Sequence, residues 1–189
     1  WLGLVGSEMC IRDSFAYHVY GTSITEVTLD CLRGTYQFDA VDIVHDFGKS
    51  MNPIVDRGQV EGGLVQGMGW MTLEEIAYNK QGRLLSSALS TYKVPDIYFA
   101  PKQINVQFLK TDTPNLAIMK SKAVGEPPLM YGIGSFFAIT DAIKAFNPLA
   151  KGLFKAPMTH ERVLMALYNE EYLKAGLYKP SHSDNKLNK

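Results

Sequence analysis

Apolar and polar side chains alternate over residues 20–46, and this pattern predicts a β-hairpin. The two-residue period is that of an extended strand, whose successive side chains point to opposite faces of a sheet. Residues 32–35, Leu-Arg-Gly-Thr, interrupt the alternation with the composition of a turn. The second strand, over residues 36–47, has more β-branched and aromatic residues, so we expect it to be the more buried of the two.

Three other stretches repeat apolar residues at the spacing of a helix. The first begins after Asn52-Pro53 and runs to residue 75. Thr159 is a suitable N-cap for the last, which carries apolar residues over 163–168. The middle helix would follow Glu126 and end at Pro148. Its predicted inner face consists of Leu129, Ile133, Phe136, Phe137 and Ile143.

Two short runs complete the set of predicted elements. Residues 104–108 alternate as a strand, and residues 116–119 are expected to form the strand that leads into residues 122–126. Residues 79–83, Asn-Lys-Gln-Gly-Arg, have the composition of a hairpin turn. The fold class predicted from this order is α+β, with mixed β-sheets and hairpins packed against the helix after Pro53 and the helix after Glu126.

The first predicted helix is unusually rich in glycine. Each glycine inside a helix costs about 0.8 to 1 kcal/mol relative to alanine, so several in one helix need a compensating reason. Close approach of another backbone, or of a bulky ligand, would supply one, because glycine has no Cβ. Periodicity alone does not choose between the two. The glycines are Gly58, Gly62, Gly63, Gly67 and Gly69.

Glu126 is the most distinctive polar residue of the chain, because it stands between flexible Gly125 and the rigid pair Pro127-Pro128. One interpretation is a carboxylate held and aimed at the mouth of a helix. The alternative is a carboxylate that only suits the helix macrodipole, a gain of about 0.3 to 1 kcal/mol. Position alone leaves both open.

Composition narrows the classes of function. The chain has 19 basic and 19 acidic residues, scattered rather than clustered, so nothing favours nucleic-acid binding. Gly, Lys or Asp interrupts each long apolar run, so we expect no membrane span. The only cysteines, Cys10 and Cys31, form neither a metal-binding set nor a disulfide framework, which favours a cytoplasmic setting. We interpret His18 and His45 as ordinary strand or loop histidines and expect no metal ligands.

Residues 122–128, Lys-Ala-Val-Gly-Glu-Pro-Pro, closely resemble the signature of the molybdenum hydroxylases, the xanthine dehydrogenase and aldehyde oxidase family. Residues 58–69, which begin Gly-Gln-Val-Glu-Gly-Gly, and residues 90–95, Ser-Thr-Tyr-Lys-Val-Pro, resemble the xanthine dehydrogenase branch. The likeness runs from Phe15 to about Phe146, with a family-like helix after it. It covers only the last part of the family's molybdenum subunit.

The resemblance assigns roles to particular residues. It implies that Glu126 is the catalytic general base and that Gln59 approaches the molybdenum site from the opposite face. Gln66 is the weaker candidate for that amide. The segment before the glutamate lies near the pterin in the family, which makes Lys122, Ala123, Val124 and Gly125 cofactor-binding candidates. Glu61, Glu74 and Glu75 are interpreted as structural carboxylates.

The implied reaction is oxidative hydroxylation of a purine, such as hypoxanthine or xanthine, with water as the oxygen source. A general base there needs a carboxylate that no neighbouring cation pins in its ionised form, and Lys122 would oppose this if it turned toward Glu126. The alternatives are an aldehyde oxidase-type hydroxylase acting on aldehydes or other N-heterocycles, and a non-catalytic scaffold or assembly module.

Cofactors and partners follow from the same resemblance. Molybdopterin would bind here, whereas 2Fe-2S clusters and FAD are expected on other domains or subunits, since two cysteines cannot hold such clusters. A small-molecule substrate and an oligomeric intact enzyme are also expected. Residues 1–14 are predicted to be a non-native or disordered leader, residues 15–175 the C-terminal part of a molybdopterin-binding domain, and residues 176–189 a polar tail. We expect the isolated fragment to be inactive.

Overall fold

The computed structural model describes residues 17–111, 118–148, 150 and 154–168. Its sheet has three strands: β1 (Tyr20–Asp30), β2 (Thr35–Asp46) and β3 (Gln103–Phe108). The central strand β2 is antiparallel to β1 and parallel to β3, so the sheet is mixed. The predicted leader and polar tail lie outside the described residues.

The predicted hairpin is confirmed in both its turn and its burial. Gly34 closes the turn with a φ of 68°, a left-handed conformation that glycine adopts without strain. The carboxylate of Asp30 accepts a hydrogen bond of 2.9 Å from the Leu32 amide and fixes the start of the turn. Phe38, Val41 and Ile43 of β2 are at most 2% exposed, because β2 lies between two strands and faces the helices.

Helix α1 (Pro53–Thr72) begins where the sequence predicts and ends at Thr72, before Glu75. Asn52 caps it by accepting a hydrogen bond of 3.3 Å from the Val55 amide. Its buried face packs on the sheet at the predicted four-residue spacing, through Val60, Leu64 and Met68.

Pro127–Gly132 forms a 3₁₀ helix, and helix α2 (Ile133–Phe146) continues from it. The helix ends before Pro148 as predicted, but its predicted inner face is partly wrong. Phe137 is 59% exposed, while Ser135, Ile139 and Ile143 are buried. The 3₁₀ segment turns about three residues per turn instead of 3.6, which shifts the phase of the buried face relative to a continuous α-helix.

The prediction of a strand over residues 116–119 is wrong for its last two residues, and residues 116–117 lie outside the described part. Ile118–Lys120 forms a 3₁₀ turn in which Met119 and Lys120 have φ values of 53° and 62°, incompatible with an extended strand. The segment is nevertheless attached to the chain after β2, because the Lys49 amide donates a hydrogen bond of 2.8 Å to the Lys120 carbonyl.

Helix α3 (His160–Leu167) closes the core on the turn side of the hairpin. Thr159 caps it as predicted, accepting a hydrogen bond of 3.4 Å from the Arg162 amide. Val163 and Leu167 are buried in the same cluster as the apolar residues of β2. The result is the predicted α+β fold, in which one mixed sheet packs against helices.

The segment Pro127–Phe146 is long and apolar enough to cross a membrane by length and composition, with a hydropathy of 1.2. In the structure 28% of this segment is buried, and its buried residues include Ile139 and Ile143, which are 0% exposed in the core shared with β2 and α1. Core helices of globular proteins meet the same criterion.

Candidate active site at the Gly125–Glu126 turn

Helix α1 presents a row of small residues to the segment that contains Glu126. Gly67 lies against the 3₁₀ helix so closely that a Cβ on it would be 2.0 Å from the Leu129 carbonyl oxygen. A Cβ on Gly132 would likewise be 2.2 Å from the Gly67 carbonyl carbon. The two backbones are therefore in direct contact at a point where side chains do not fit. Close approach of another backbone, one of the two reasons predicted for the glycines, is confirmed here.

The same row continues one helical turn earlier, at Gly63. A Cβ on Gly63 would lie 3.0 Å from Pro128 Cβ and 3.4 Å from the Gly125 carbonyl oxygen. One further turn back is Gln59, whose Oε1 atom lies 3.3 Å from the position that a Cβ on Gly125 would occupy. The structure therefore brings Gln59 next to the turn that carries Glu126.

The remaining glycines do not share this role. A Cβ on Gly58 or on Gly62 would meet no atom within 4 Å among the described residues. Gly69 is different again, because its Cβ would lie 2.4 Å from Pro95 Cγ. The α1 backbone is therefore open at Gly58 and Gly62, and Gly58 lines a pocket together with Val106 and Phe108 of β3.

Glu126 occupies the N-cap position of the 3₁₀ helix with φ −90° and ψ −42°. Its carbonyl oxygen accepts a hydrogen bond of 3.1 Å from the Leu129 amide, which starts the helix. Its side chain is exposed and makes no capping hydrogen bond within the described structure. The carboxylate is therefore presented by the turn rather than used to complete it.

The Lys122 side chain is paired with Asp46, the last residue of β2. Its ammonium group lies 2.6 Å from Asp46 Oδ2, and the two side chains are only 5% and 2% exposed. Its amide donates a hydrogen bond of 2.7 Å to the Phe47 carbonyl. The structure thus places this cofactor-binding candidate beneath the turn, whereas Ala123 and Gly125 are exposed and Val124 packs at the edge of the core.

Asp46 is the centre of a buried polar cluster. Besides Lys122, it accepts hydrogen bonds of 2.6 Å from Thr111 Oγ1 and 3.0 Å from the Gly48 amide. Burial alone would raise the pKa of Asp46, but hydrogen bonds from Lys122, Thr111 and Gly48 outweigh it and hold the pKa below its ordinary value. The carboxylate is therefore charged in the folded protein at neutral pH.

His45 lies beside this cluster and is 0% exposed. Its Nδ1 atom is 2.5 Å from the hydroxyl oxygen of Tyr131, which follows Glu126 along the chain. Burial lowers the pKa of His45, and the charge of Asp46 and the Ala123 backbone oppose that shift without cancelling it. Burial, assisted by the negative charge of Asp46, raises the pKa of Tyr131 to about 12.

Sequence reasoning did not identify His45, Asp46 or Tyr131 as part of the site. The available signal was the pair of polar residues that ends β2, immediately after the apolar strand residues 43 and 44. His45 was interpreted as an ordinary strand histidine, and the described residues contain no cluster of three or more His, Cys, Asp or Glu that could hold a metal.

The other polar residues singled out in the sequence have different positions. Gln66 is exposed on α1. Glu61 forms an ion pair with Arg57 at 2.8 Å, Glu75 forms one with Arg162, and Glu74 accepts a hydrogen bond from the Tyr92 hydroxyl. Each of these carboxylates therefore has a local structural partner, as predicted.

Comparison with known proteins identifies the family. The model of the molybdopterin cofactor-binding domain matches residues 6–101, about half of the chain. Xanthine dehydrogenase/oxidase of Felis catus is 45% identical over 164 residues, which cover 82% of this chain and 12% of that protein. Aldehyde oxidase 2 of Rattus norvegicus is 41% identical over 158 residues, also covering 82% of this chain and 12% of that protein. The chain thus spans about an eighth of the length of these relatives.

A solved structure agrees with this result. The aldehyde oxidoreductase of Desulfovibrio gigas superposes with a TM-score of 0.67 and 27% sequence identity, covering 81% of this chain and 16% of that one. The family match begins at residue 6, inside the predicted leader, so the boundary after residue 14 stays a prediction. The chain belongs to the molybdopterin cofactor-binding domain family, within the xanthine dehydrogenase and aldehyde oxidase group of molybdenum hydroxylases.

Proposed function

We propose that the complete protein hydroxylates a purine such as hypoxanthine or xanthine, with water as the oxygen source, and that this chain supplies the general base, Glu126. The observation that carries the proposal is the meeting of two residues far apart in sequence. The amide of Gln59 and the Gly125–Glu126 turn lie side by side, one helical turn before Gly63 on α1.

The residues present fit molybdopterin. The backbone of α1 is open at Gly58 and Gly62, and the side chain of Gln59 on the same helix is exposed and lies beside Gly125. We assign the contacts with the cofactor to Gln59 and to the backbone of residues 122–125. When bound, the cofactor supplies the two-electron redox chemistry, whereas the protein supplies orientation and proton transfer.

The ion pairing around Glu126 supports its role as a general base. The base must accept a proton as the oxygen of water becomes nucleophilic and release it afterwards. An ion pair with a neighbouring lysine would hold the carboxylate in its charged form. Lys122 makes its ion pair with Asp46 instead, so the nearest lysine in the sequence motif does not occupy Glu126.

The wider assembly follows from the family. Electrons that leave the substrate need an exit, which we assign to 2Fe-2S and FAD centres on other domains or subunits, because the two cysteines of this chain cannot ligate such clusters. We also propose that the intact enzyme is a cytoplasmic oligomer that engages neither nucleic acid nor membrane, in line with its balanced charge.

A second candidate function is oxidation of aldehydes or other N-heterocycles. It is favoured by the similarity to rat aldehyde oxidase 2, which covers the same share of the chain at nearly the same identity. A non-catalytic scaffold is the third candidate.

Between the two substrate classes we place the purine first, because residues 58–69 and 90–95 resemble the xanthine dehydrogenase branch.

The test is anaerobic reduction of the complete protein by defined substrates. We expect molybdenum in each subunit, reduction by xanthine or hypoxanthine faster than by benzaldehyde, and incorporation of labelled oxygen from water into the product. Reduction by the aldehyde alone would favour the second candidate. Full molybdenum occupancy with no reduction by any of the three compounds would favour the scaffold.

A further inference from the structure

Two consecutive polar residues are buried at the end of β2, directly beneath the candidate site. His45 is 0% exposed and Asp46 is 1% exposed. Burying an ion pair in place of apolar residues often brings no gain in stability, because desolvation of both charges opposes their attraction. The buried Asp46–Lys122 ion pair therefore calls for a reason besides stability, and the buried side chain of His45 lies next to it on the strand.

Asp46 holds the chain on the side that precedes Glu126. Its carboxylate binds the Lys122 ammonium at 2.6 Å, and Thr111 and the Gly48 amide fix the same carboxylate from other directions. The Lys122 amide is also tied to the Phe47 carbonyl at 2.7 Å. The start of the turn is therefore fastened by both the backbone and the side chain of Lys122.

His45 holds the chain on the side that follows Glu126. Its Nδ1 atom contacts the Tyr131 hydroxyl at 2.5 Å, and the two rings meet edge to face with centroids 5.6 Å apart. The Tyr131 ring also lies over Gly21 of β1, where a Cβ would be 1.8 Å from the tyrosine oxygen. The ring thus packs over one face of the β1–β2 pair, at the paired residues Gly21 and His45.

The support for these contacts is the central strand of the sheet, which is paired on both sides. His45 is paired with Gly21 on β1 and with Phe108 on β3, and its carbonyl accepts a hydrogen bond of 2.9 Å from the Leu109 amide. Between the two anchors, in contrast, Ala123, Gly125 and Glu126 are exposed. Gly125 and Pro128 also lie against Gly63 of α1, so the direction of the Glu126 side chain depends on α1 and on how firmly the two ends of the segment are held.

We propose that His45 and Asp46 are positioning residues that hold Glu126 in its catalytic orientation, acting through Tyr131 on one side and Lys122 on the other. This inference rests on the proposed function of Glu126 as the base. A displacement of about 1 Å in a reacting group can cost on the order of a hundredfold in rate, so two anchors on one central strand would have a measurable catalytic effect.

The first test compares two tyrosines in the complete protein. Tyr131→Phe removes only the hydroxyl that contacts His45. Tyr36→Phe is the matched control, because that tyrosine is also partly buried and donates a hydrogen bond of 2.7 Å, but to the Met158 carbonyl near α3. Both variants should lose similar thermal stability. Only Tyr131→Phe should slow the limiting rate of reduction by substrate, by about tenfold or more, with the substrate Kd within about twofold of wild type.

The second test repeats the comparison on the other anchor. Asp46→Asn weakens the contact with Lys122, and Asp39→Asn is its control on the same strand, where an exposed ion pair with Lys102 is 2.6 Å long. The limiting rate per bound molybdenum should fall by about tenfold or more in Asp46→Asn alone. Expressing each rate per molybdenum corrects for incomplete cofactor loading.

Equal limiting rates in Tyr131→Phe and Tyr36→Phe would overturn the proposal. So would a loss of molybdenum in Tyr131→Phe with a normal rate per remaining molybdenum, because the contact would then support the fold and not the base. Glu126→Gln in the same assay distinguishes failure of the base assignment from failure of the positioning role. If it removes reduction while Tyr131→Phe and Asp46→Asn do not slow it, the base assignment stands and the positioning role fails.

Discussion

Glycine has different roles on the two sides of helix α1. On one side Gly63 and Gly67 lie against the backbone of residues 125–132, and a Cβ on Gly67 would be 2.0 Å from Leu129 O. On the other, Gly58 and Gly62 face open space among the described residues. The first pair allows the helix to seat the Glu126 turn, while the second leaves the helix backbone accessible. Packing thus explains only part of the glycine content.

The largest expected effect is on the packed side. Gly67→Ala forces the Leu129 carbonyl to move, because a Cβ cannot sit 2.0 Å from it. Overpacking of this kind typically costs 1 to 3 kcal/mol, and contact with backbone is the severe case, so we expect a loss of about 3 kcal/mol in the free energy of unfolding. Chemical denaturation of the 189-residue chain measures it.

Gly62→Ala is the matched control for that variant. An added Cβ meets nothing within 4 Å, and alanine favours the helix over glycine, so stability should rise by up to about 1 kcal/mol. If both variants lost similar stability, the division of α1 into a packed side and an open side would be wrong. The same result would contradict the assignment of the open side to a cofactor.

A smaller effect distinguishes the two glutamines of α1. Gln59→Ala in the complete protein removes the amide beside Gly125, so we expect a loss of about tenfold in turnover, comparable to one hydrogen bond to a charged or polarised group. Gln66→Ala should stay within about twofold of wild type. Steady-state kinetics on enzyme of matched molybdenum content measures both, and equal losses would mean that the cofactor-facing amide is assigned wrongly.

The smallest expected effect is on the pH dependence of stability, and it concerns His45, which supports the Glu126 segment from the sheet and not from α1. Because burial lowers the pKa of His45, the folded state favours neutral imidazole, and stability should be full above the ordinary pKa of 6.5 and decline as the pH falls below it. The groups that act on His45 are the Tyr131 hydroxyl, the Ala123 backbone and Asp46, which is already paired with Lys122.

His45→Gln should therefore flatten the decline in melting temperature between pH 7.5 and pH 5.5. His160, whose pKa burial also lowers, contributes to the same pH range and stays in both proteins, so only the difference between them reports on His45. An unchanged slope in the variant would show that His45 does not titrate in this way.

Local signals in the sequence predicted much of the fold. The alternation of β1 and β2, the Asn52 and Thr159 caps and the stop before Pro148 are all encoded within a few residues of where they act. The predictions that failed depend on longer-range geometry. Phe137 is exposed because the preceding 3₁₀ segment shifts the phase of the helix. The turn at Met119 needs a left-handed backbone conformation, which methionine and lysine do not favour and which the sequence therefore does not predict.

The candidate site was predicted in part for the same reason. The motif around Glu126 and the segment around Gln59 are each contiguous, so resemblance found both, and the structure shows that they meet. His45, Asp46 and Tyr131 come together only through the register of β2 and the packing of the 3₁₀ helix on the sheet. No spacing along the chain indicates that contact.

The most direct test of the account is Glu126→Gln in the complete protein, with Glu61→Gln as control. Both changes remove one carboxylate, but Glu61 forms an ion pair with Arg57 on α1. With molybdenum content equal in all three proteins, the rate of single-turnover reduction by substrate should fall by about a hundredfold to ten-thousandfold in Glu126→Gln only. If Glu126 only suited a helix dipole, stability would change by less than about 1 kcal/mol and the rate would stay within a few-fold of wild type. A fully loaded Glu126→Gln protein that is reduced at nearly the normal rate would contradict the account.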